Sequence, residues 1–249
     1  MTALPAGDLA GLLRGRPEVV APGLLGCLLV AGSADGDVVL RVTEVEAYAG
    51  PGEDPGSHAH RGLRPRNATM FGRPGSLYVY FTYGLHWCAN VVAHPVTDQH
   101  DGGGAGVGGP AGAVLVRAGE VVAGEPLARV RRPAAVRARD LARGPARLTR
   151  ALGITGDDDG TDLLDPASRV RLLPAPEPPA AVASGPRVGV AGEGAATPWR
   201  WWETGGATVS AYRAAQPRRR SPRTASPVTA DTPPAPTPEG EPPAPGGAP

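Results

Sequence analysis

Residues 38–48 read VVLRVTEVEAY, a run rich in Val, Leu, Thr and Tyr with polar side chains recurring at Arg41, Thr43, Glu44 and Glu46. β-Branched and aromatic residues in that near-alternation predict a strand. The turn signal Asp35-Gly36-Asp37 precedes it, and before that the apolar stretch 24–31 (LLGCLLVA) predicts a partner strand, so 24–48 reads as a hairpin. Residues 76–83 (SLYVYFTY) are strongly β-forming, Gly84 breaks them, and 86–94 resume a strand, predicting a second hairpin with its tip at Tyr83-Gly84. Further short strands are expected at 113–118, 169–173 and 187–190, a helical turn at 8–13, and helix over 133–152 interrupted at Gly144-Pro145. Hairpins with helices gathered in one region predict an α+β domain, not alternating βαβ units.

Composition bounds the rest. The 249 residues include 36 Gly and 30 Pro, concentrated in a few places. Residues 217–249 hold eleven prolines and almost no large apolar side chain, too little burial to offset ordering entropy. The expected organisation is therefore one domain over 1–212 and a disordered Pro-rich tail over 213–249, with residues 101–112 (DGGGAGVGGPAG) as a flexible surface loop. Two cysteines, Cys27 and Cys88, make no disulfide framework. Leu24-Leu25-Gly26-Cys27 has the form of a lipoprotein box, but Glu18 and Pro22 interrupt the apolar run and its sequel is apolar, as in a core segment. The run is also too short to span a bilayer, so a cytoplasmic protein with no membrane partner is expected.

All 25 basic residues are arginine, and the net charge of +1 is not that of a chain binding polyanions through its bulk field. Charge is nonetheless uneven: residues 129–150 contain eight arginines against one acid, Asp140. Such a run reads first as a solvated helix face and second as a phosphate contact.

Glu44, Glu46 and Tyr48 are spaced by two, which on a strand sets two carboxylates and a phenol on one face. A solvent-facing strand edge would give the same pattern; the irregular flanking positions Val42, Val45 and Ala47 and the polar loop that follows favour a functional face. In that loop, Glu53, Asp54, His58 and His60 offer metal-type ligands. Arg61, Arg64, Arg66 and Arg73 directly after them would repel a cation and suit phosphates better, so the expectation is no metal and no cofactor. The second hairpin packs Tyr78, Tyr80, Phe81, Tyr83 and Trp87 into ten residues of a chain with only 4% aromatics. Core packing accounts for Tyr78 and Phe81; a tyrosine at the hairpin tip cannot pack into its own sheet and is placed to wedge into something else, such as a base stack.

In order along the chain stand Glu44-Val45-Glu46-Ala47-Tyr48, Ser57-His58-Ala59, Pro65-Arg66-Asn67, Met70-Phe71, Pro74-Gly75, Leu77-Tyr78-Val79-Tyr80-Phe81-Thr82-Tyr83-Gly84 and Cys88-Ala89-Asn90. Val114-Leu115-Val116-Arg117-Ala118, Gly144-Pro145-Ala146-Arg147-Leu148 and Arg187-Val188-Gly189-Val190 follow. From about Leu24 to Glu203 the chain resembles the alkyladenine (3-methyladenine) DNA glycosylase family of vertebrate and bacterial type. The resemblance implies a curved, mainly antiparallel sheet with surrounding helices and a protruding hairpin that inserts into DNA. It implies Glu46 as the base that activates water, with Arg117 and the Val188 carbonyl holding that water. Tyr48 would stack on one face of a flipped base, His58 and Tyr80 on the other; Asn90 would crowd the guanine amine, and Tyr83 would fill the gap left in the duplex. The implied partner is double-stranded DNA containing a damaged purine, bound by a monomer.

The sequence departs from the family at Cys27, commonly a lysine, at Gly52, an extra residue, at Leu85, a methionine in some members, and in a longer Gly-rich loop. Lacking any lysine, the chain has no side-chain amine to form a Schiff base, which points to base release by water without strand cleavage. Two other readings remain open at this level: a metal-dependent hydrolase built on Glu46, Asp54, His58 and His60, and a non-enzymatic protein that binds damaged DNA. A sugar glycosidase is weaker, because Glu44 and Glu46 on one strand cannot readily flank a scissile bond from opposite sides.

Overall fold

A computed structural model of the chain describes residues 8–82, 84–96 and 110–215; Tyr83, residues 101–109 of the Gly-rich stretch and the Pro-rich tail from residue 216 lie outside the described residues. Val38–Tyr48 forms a single strand, β2, with the bounds that the sequence predicts. Its first half pairs antiparallel with β1 (Leu28–Ala31), Leu28 facing Arg41 and Ala31 facing Val38. Asp8 accepts the Gly11 amide and starts the short helix α1 (Leu9–Leu13), as expected.

Strands β3 (Leu77–Thr82) and β4 (His86–Val92) make the second hairpin, from Leu77 opposite Val91 to Thr82 opposite His86. With β5 (Ala113–Ala123), β6 (Val170–Leu173), β7 (Val182–Gly185) and β8 (Arg200–Glu203) they complete one eight-stranded sheet. The path runs β3-β4-β5-β2-β1-β6, with β8 joining β2 and β7 joining β8, and each pairing is antiparallel. β2 is central: β5 lies along one side of it, while β1 and then β8 share the other. Glu44 and Glu46 therefore have neighbours on both sides, Ala118 and Leu115 on β5 and Trp202 and Arg200 on β8.

From Val42 to Ala47 every side chain of β2 is buried. That is why the flanking pattern gives no clean core face: both faces of the strand are covered. On one side Val38, Leu40 and Val45 join a core with Leu13, with Val20 of α2 (Pro17–Val20), and with Leu148 and Leu152 of α4 (Pro145–Leu152). A smaller cluster of Ala59, Met70, Phe71 and Tyr78 packs beneath the loop that carries His58.

Several sequence expectations are corrected. The predicted strand 24–31 begins only at Leu28: Ala21–Leu24 is a 3-10 turn containing Pro22, and the Cys27 amide folds back to the Leu24 carbonyl. Within residues 133–152 the α-helix starts only at Pro145, after a short 3-10 turn at Ala138–Asp140, because proline fits a helix at its first turn and not inside it. The helix that precedes them, α3 (Glu125–Arg131), was not anticipated, nor were β7 and β8. Residues 187–190 are a turn, with Gly189 at φ 74°, instead of a strand. Phe81 is 51% exposed, not core: it shares a face with the buried Leu77 and Val79 but stands near the hairpin tip, past the edge of the core, where its ring centroid lies 4.6 Å from that of Trp87.

The arginine-rich segment is largely committed within the protein. Arg129 pairs with Glu125, and Arg131, Arg132, Arg143 and Arg150 donate to the carbonyls of Ala151, Asp140, Val209 and Arg131. No helix among the described residues is long and apolar enough to cross a membrane.

Where β5 crosses β2, Gly119 leaves no room for a side chain: a Cβ there would overlap Leu40 and stand 2.5 Å from the Arg41 carbonyl oxygen. Gly119→Ala is expected to lower unfolding free energy in urea by about 2–3 kcal/mol, the usual scale of overpacking; an unchanged midpoint would contradict this packing.

Candidate active site

The β2–β5 register slips beside Glu44. Val42 faces Gly119 and Glu44 faces Ala118, so Thr43 has no partner; Val45 then faces Val116, leaving Arg117 without one. Bulges of this kind re-aim side chains. Here the Arg117 guanidinium lies across the two carboxylates of β2. Its Nε donates to Glu44 Oε1 at 2.8 Å and its Nη1 to Glu46 Oε2 at 2.9 Å.

Neither carboxylate reaches solvent, so each must be satisfied within the protein. Glu44 Oε1 also accepts Arg200 Nε at 2.7 Å and the Ser210 hydroxyl at 2.9 Å, while Oε2 accepts the Ser210 amide at 2.6 Å. Burial pushes the Glu44 carboxyl up, but Arg117, Ser210 and Arg200 together outweigh it and hold the group below the usual carboxylate range. Glu46 is bound differently: Oε1 accepts the Val188 amide at 2.6 Å and Oε2 accepts the Tyr48 hydroxyl at 2.9 Å, besides Arg117. Three donors on a carboxylate that can accept about four leave it room for one more.

The other face of Tyr48 is occupied. The Arg187 guanidinium lies 4.7 Å from the Tyr48 ring centroid and 5.3 Å from that of Trp199. Arg187 is fully buried and bidentate to Asp54, at 2.6 and 2.8 Å, and donates to the Ala47 carbonyl at 2.9 Å. Gly56 lets this pair close: a Cβ there would lie 2.9 Å from Arg187 Nη2 and 2.8 Å from Val190. Burial, and after it the Glu46 charge, raises the Tyr48 phenol far above its usual value, so it stays a neutral donor to Glu46.

Six of the predicted residues, Tyr48, His58, Tyr80, Asn90, Arg117 and Val188, line one open cavity of about 540 Å³. Glu46 lies directly behind three of them. His58 stands edge-on to Tyr80 with centroids 4.6 Å apart, and its Nδ1 lies 3.1 Å from the Tyr78 hydroxyl. That hydroxyl donates to the Arg66 carbonyl, so the His58 Nδ1–H is the donor to it and Nε2 keeps its lone pair. Burial, with Arg66 second, lowers the His58 pKa and keeps the ring neutral. Asn90 is pinned by donating Nδ2 to the Tyr78 carbonyl at 3.0 Å. Beside the cavity, a hollow bounded by His58, His60, Arg61, Arg64 and Arg66 gives it a cationic rim. Tyr83, the predicted wedge, lies outside the described residues; its neighbour Leu85 is 70% exposed.

The four candidate metal ligands do not converge. Asp54 is committed to Arg187, His58 turns Nδ1 to Tyr78, and no group of three His, Cys, Asp or Glu gathers among the described residues. Sequence reading overlooked the parts played by Asp54, Arg187, Arg200 and Ser210. Asp54 and Arg187 are 133 residues apart, and only the position of Arg187 beside Val188 in a recognised block hinted at it.

A family model for methylpurine-DNA glycosylase matches residues 12–207. Proteins named "Putative 3-methyladenine DNA glycosylase" are similar over most of their length. That of Streptomyces avermitilis is 51% identical over 208 residues, covering 82% of this chain and 92% of its own. Those of Leifsonia xyli subsp. xyli and Nocardia farcinica are 54% and 50% identical, covering 78% and 79% of this chain and 87% of each relative.

Removing one member of a buried ion pair leaves the other uncompensated. Asp54→Asn is expected to cost about 3–5 kcal/mol in urea unfolding, whereas a loss below 1 kcal/mol would mean that the pair is not held as described. The depressed Glu44 pKa gives a second expectation. Its stabilisation is present above the ordinary carboxylate range and is lost as pH falls through the lower folded value, so an acid unfolding profile should flatten in Glu44→Gln relative to wild type.

Proposed function

The chain belongs to the methylpurine-DNA glycosylase family, and we propose that it excises alkylated or deaminated purines from duplex DNA, releasing the base without cutting the strand. The substrates would be of 3-methyladenine type, with hypoxanthine and ethenoadenine as further candidates. The observation that carries the reading is the placement of a fully buried Glu46, fixed by Val188, Tyr48 and Arg117, behind an aromatic-lined cavity large enough for a purine.

In this reading a purine leaves the duplex and enters between Tyr48 and the His58–Tyr80 pair. Unstacking costs a few kcal/mol, which stacking in the cavity partly restores, and least work is needed for a base that already pairs badly. An N-alkylated purine carries positive charge, is drawn to electron-rich rings, and leaves C1′ as a neutral base. Water held at the remaining acceptor direction of Glu46 attacks C1′; the C1′–N bond breaks, its electron pair goes to the purine, and the water proton passes to Glu46. Arg117 spreads its charge over Glu44 and Glu46, so Glu46 can take a proton without leaving a buried cation unpaired. Asn90 would crowd the exocyclic amine of guanine from the cavity wall, and the neutral His58 would offer its Nε2 lone pair to the base. Arg61, Arg64 and Arg66 suit the flanking phosphates. Tyr83 would take the place of the extruded base in the stack. With no lysine in the sequence, a Schiff-base strand cleavage has no side-chain nucleophile.

The test is a set of duplex oligonucleotides each carrying one ethenoadenine, hypoxanthine or methylated purine. Wild type should produce abasic sites revealed only by alkali, undiminished by chelator. Glu46→Gln should slow the chemical step by about 10²–10⁴-fold, the scale of general-base catalysis. If wild type releases none of these bases, the reading fails; if Glu46→Gln is as fast as wild type, the base is another group.

A further inference from the structure

Residues 208–213 return across the site and end beyond the last residue matched by the family model, Ala207. Thr208 Oγ1 meets Thr43 Oγ1 at 2.9 Å in a buried contact, and the Val209 carbonyl accepts Arg143 Nε at 2.8 Å. The Arg213 carbonyl accepts the Gly189 amide at 3.1 Å, which ties this segment to the turn whose Val188 amide holds Glu46. Between these anchors sits Ser210, which makes two donations to Glu44, receives Arg200 Nη2 on its carbonyl at 3.2 Å, and has its hydroxyl 3.4 Å from Arg117 Nη2.

We propose that Ser210 is a positioning residue for base excision, acting on Glu46 through Glu44 and Arg117. The inference rests on the glycosylase reading above. Among the described residues Arg117 is the one guanidinium that touches both carboxylates, so its hold on Glu46 depends on how firmly Glu44 holds its other edge. Ser210 supplies two of the four donors on Glu44; the other two are Arg117 from β5 and Arg200 from β8, and Glu46 stands two residues along β2. The Ser210 donations favour the charged form of Glu44. Without its hydroxyl, Glu44 takes up a proton at higher pH. Where Glu44 is protonated, Arg117 no longer divides its charge between two carboxylates and draws more of the Glu46 charge to itself, so excision falls as Glu44 protonates and its acidic limb follows that titration upward. A residue that merely holds the fold together would lower stability and base capture; one that acts along this chain lowers the chemical step and moves its acidic limb.

The experiment compares full-length wild type, Ser210→Ala and Ser210→Thr on an ethenoadenine duplex under single-turnover conditions across pH. Ethenoadenine fluorescence reports base capture separately from excision. In Ser210→Ala, capture should stay within about twofold, the chemical step should fall roughly tenfold on the acidic side of the profile, the scale of one lost hydrogen bond to a charged group, and its acidic limb should move to higher pH. Ser210→Thr, which keeps the hydroxyl, should restore both. Unchanged excision and pH profile in Ser210→Ala, capture falling in step with excision, or a threonine variant as defective as alanine would each overturn the proposal. Glutamate carboxyl carbon resonances give an arm independent of catalysis: Glu44 should titrate higher in Ser210→Ala, and an unmoved titration overturns the inference even if wild type excises none of the lesions. Failure of the wild type to excise would count against the glycosylase reading alone.

Discussion

A carboxylate cut off from water needs a donor for nearly every lone pair, and the central strand of this sheet carries two such groups two residues apart. Glu44 and Glu46 survive burial because Arg117 is re-aimed by a register slip to lie across both, and because β8 and the residues after it deliver Arg200 and Ser210. Much of the topology follows from that demand. β2 exchanges β1 for β8 as its neighbour at the point where the acidic residues begin, and β8 brings a cation to the face where one is needed. The two carboxylates differ in consequence. Glu44 is saturated and held in its charged form, whereas Glu46 takes three donors and lies behind the cavity wall.

The second buried ion pair plays a different part. Asp54 and Arg187 close the loop after β2 onto the turn at 187–190, and the guanidinium slides between Tyr48 and Trp199. Tyr48 is thereby fixed twice, by its hydroxyl on Glu46 and by a cation at its ring. A stacking platform that cannot rotate has little entropy to lose when a flat ligand arrives, which is the physical meaning of a preorganised pocket. The opposite wall is fixed in the same manner: the hydrogen-bonded series His58, Tyr78 and the Arg66 carbonyl sets the tautomer of the histidine, and Asn90 on β4 is anchored across the hairpin to the Tyr78 carbonyl of β3.

Local signals in the sequence were reliable where one residue type leaves the backbone little choice. Val38–Tyr48 and the aromatic hairpin had their strands legible from β-branched and aromatic runs between Gly-containing turns. Legibility fell where proline, glycine or a distant partner decided the matter. Pro22 made a turn out of an apolar stretch, Gly189 did the same at 187–190, and the tryptophans of β8 became a strand by pairing with β2, a preference that a four-residue run cannot announce alone. Phe81 shows the same limit: alternation on β3 puts it on the core face with Leu77 and Val79, but its place near the hairpin tip carries it past the edge of that core, where Trp87 is its neighbour.

The sequence by itself determined the alternation that puts Glu44, Glu46 and Tyr48 on one side of a strand, the aromatic hairpin, and the absence of any lysine nucleophile. These are properties of period, composition and residue chemistry, and they need no neighbour to be true. Through its ordered blocks it also named six residues that meet around one cavity. What only the tertiary structure decided was how the buried charges are shared. Spacing cannot foretell that Arg117 bridges two carboxylates, that Asp54 belongs to an arginine 133 residues away instead of a metal, or that Ser210 caps Glu44 from 166 residues further on. Those pairings arise because a charge removed from water takes whichever donor the folded chain brings within about 3 Å, and that distance is set by the packing of the whole sheet.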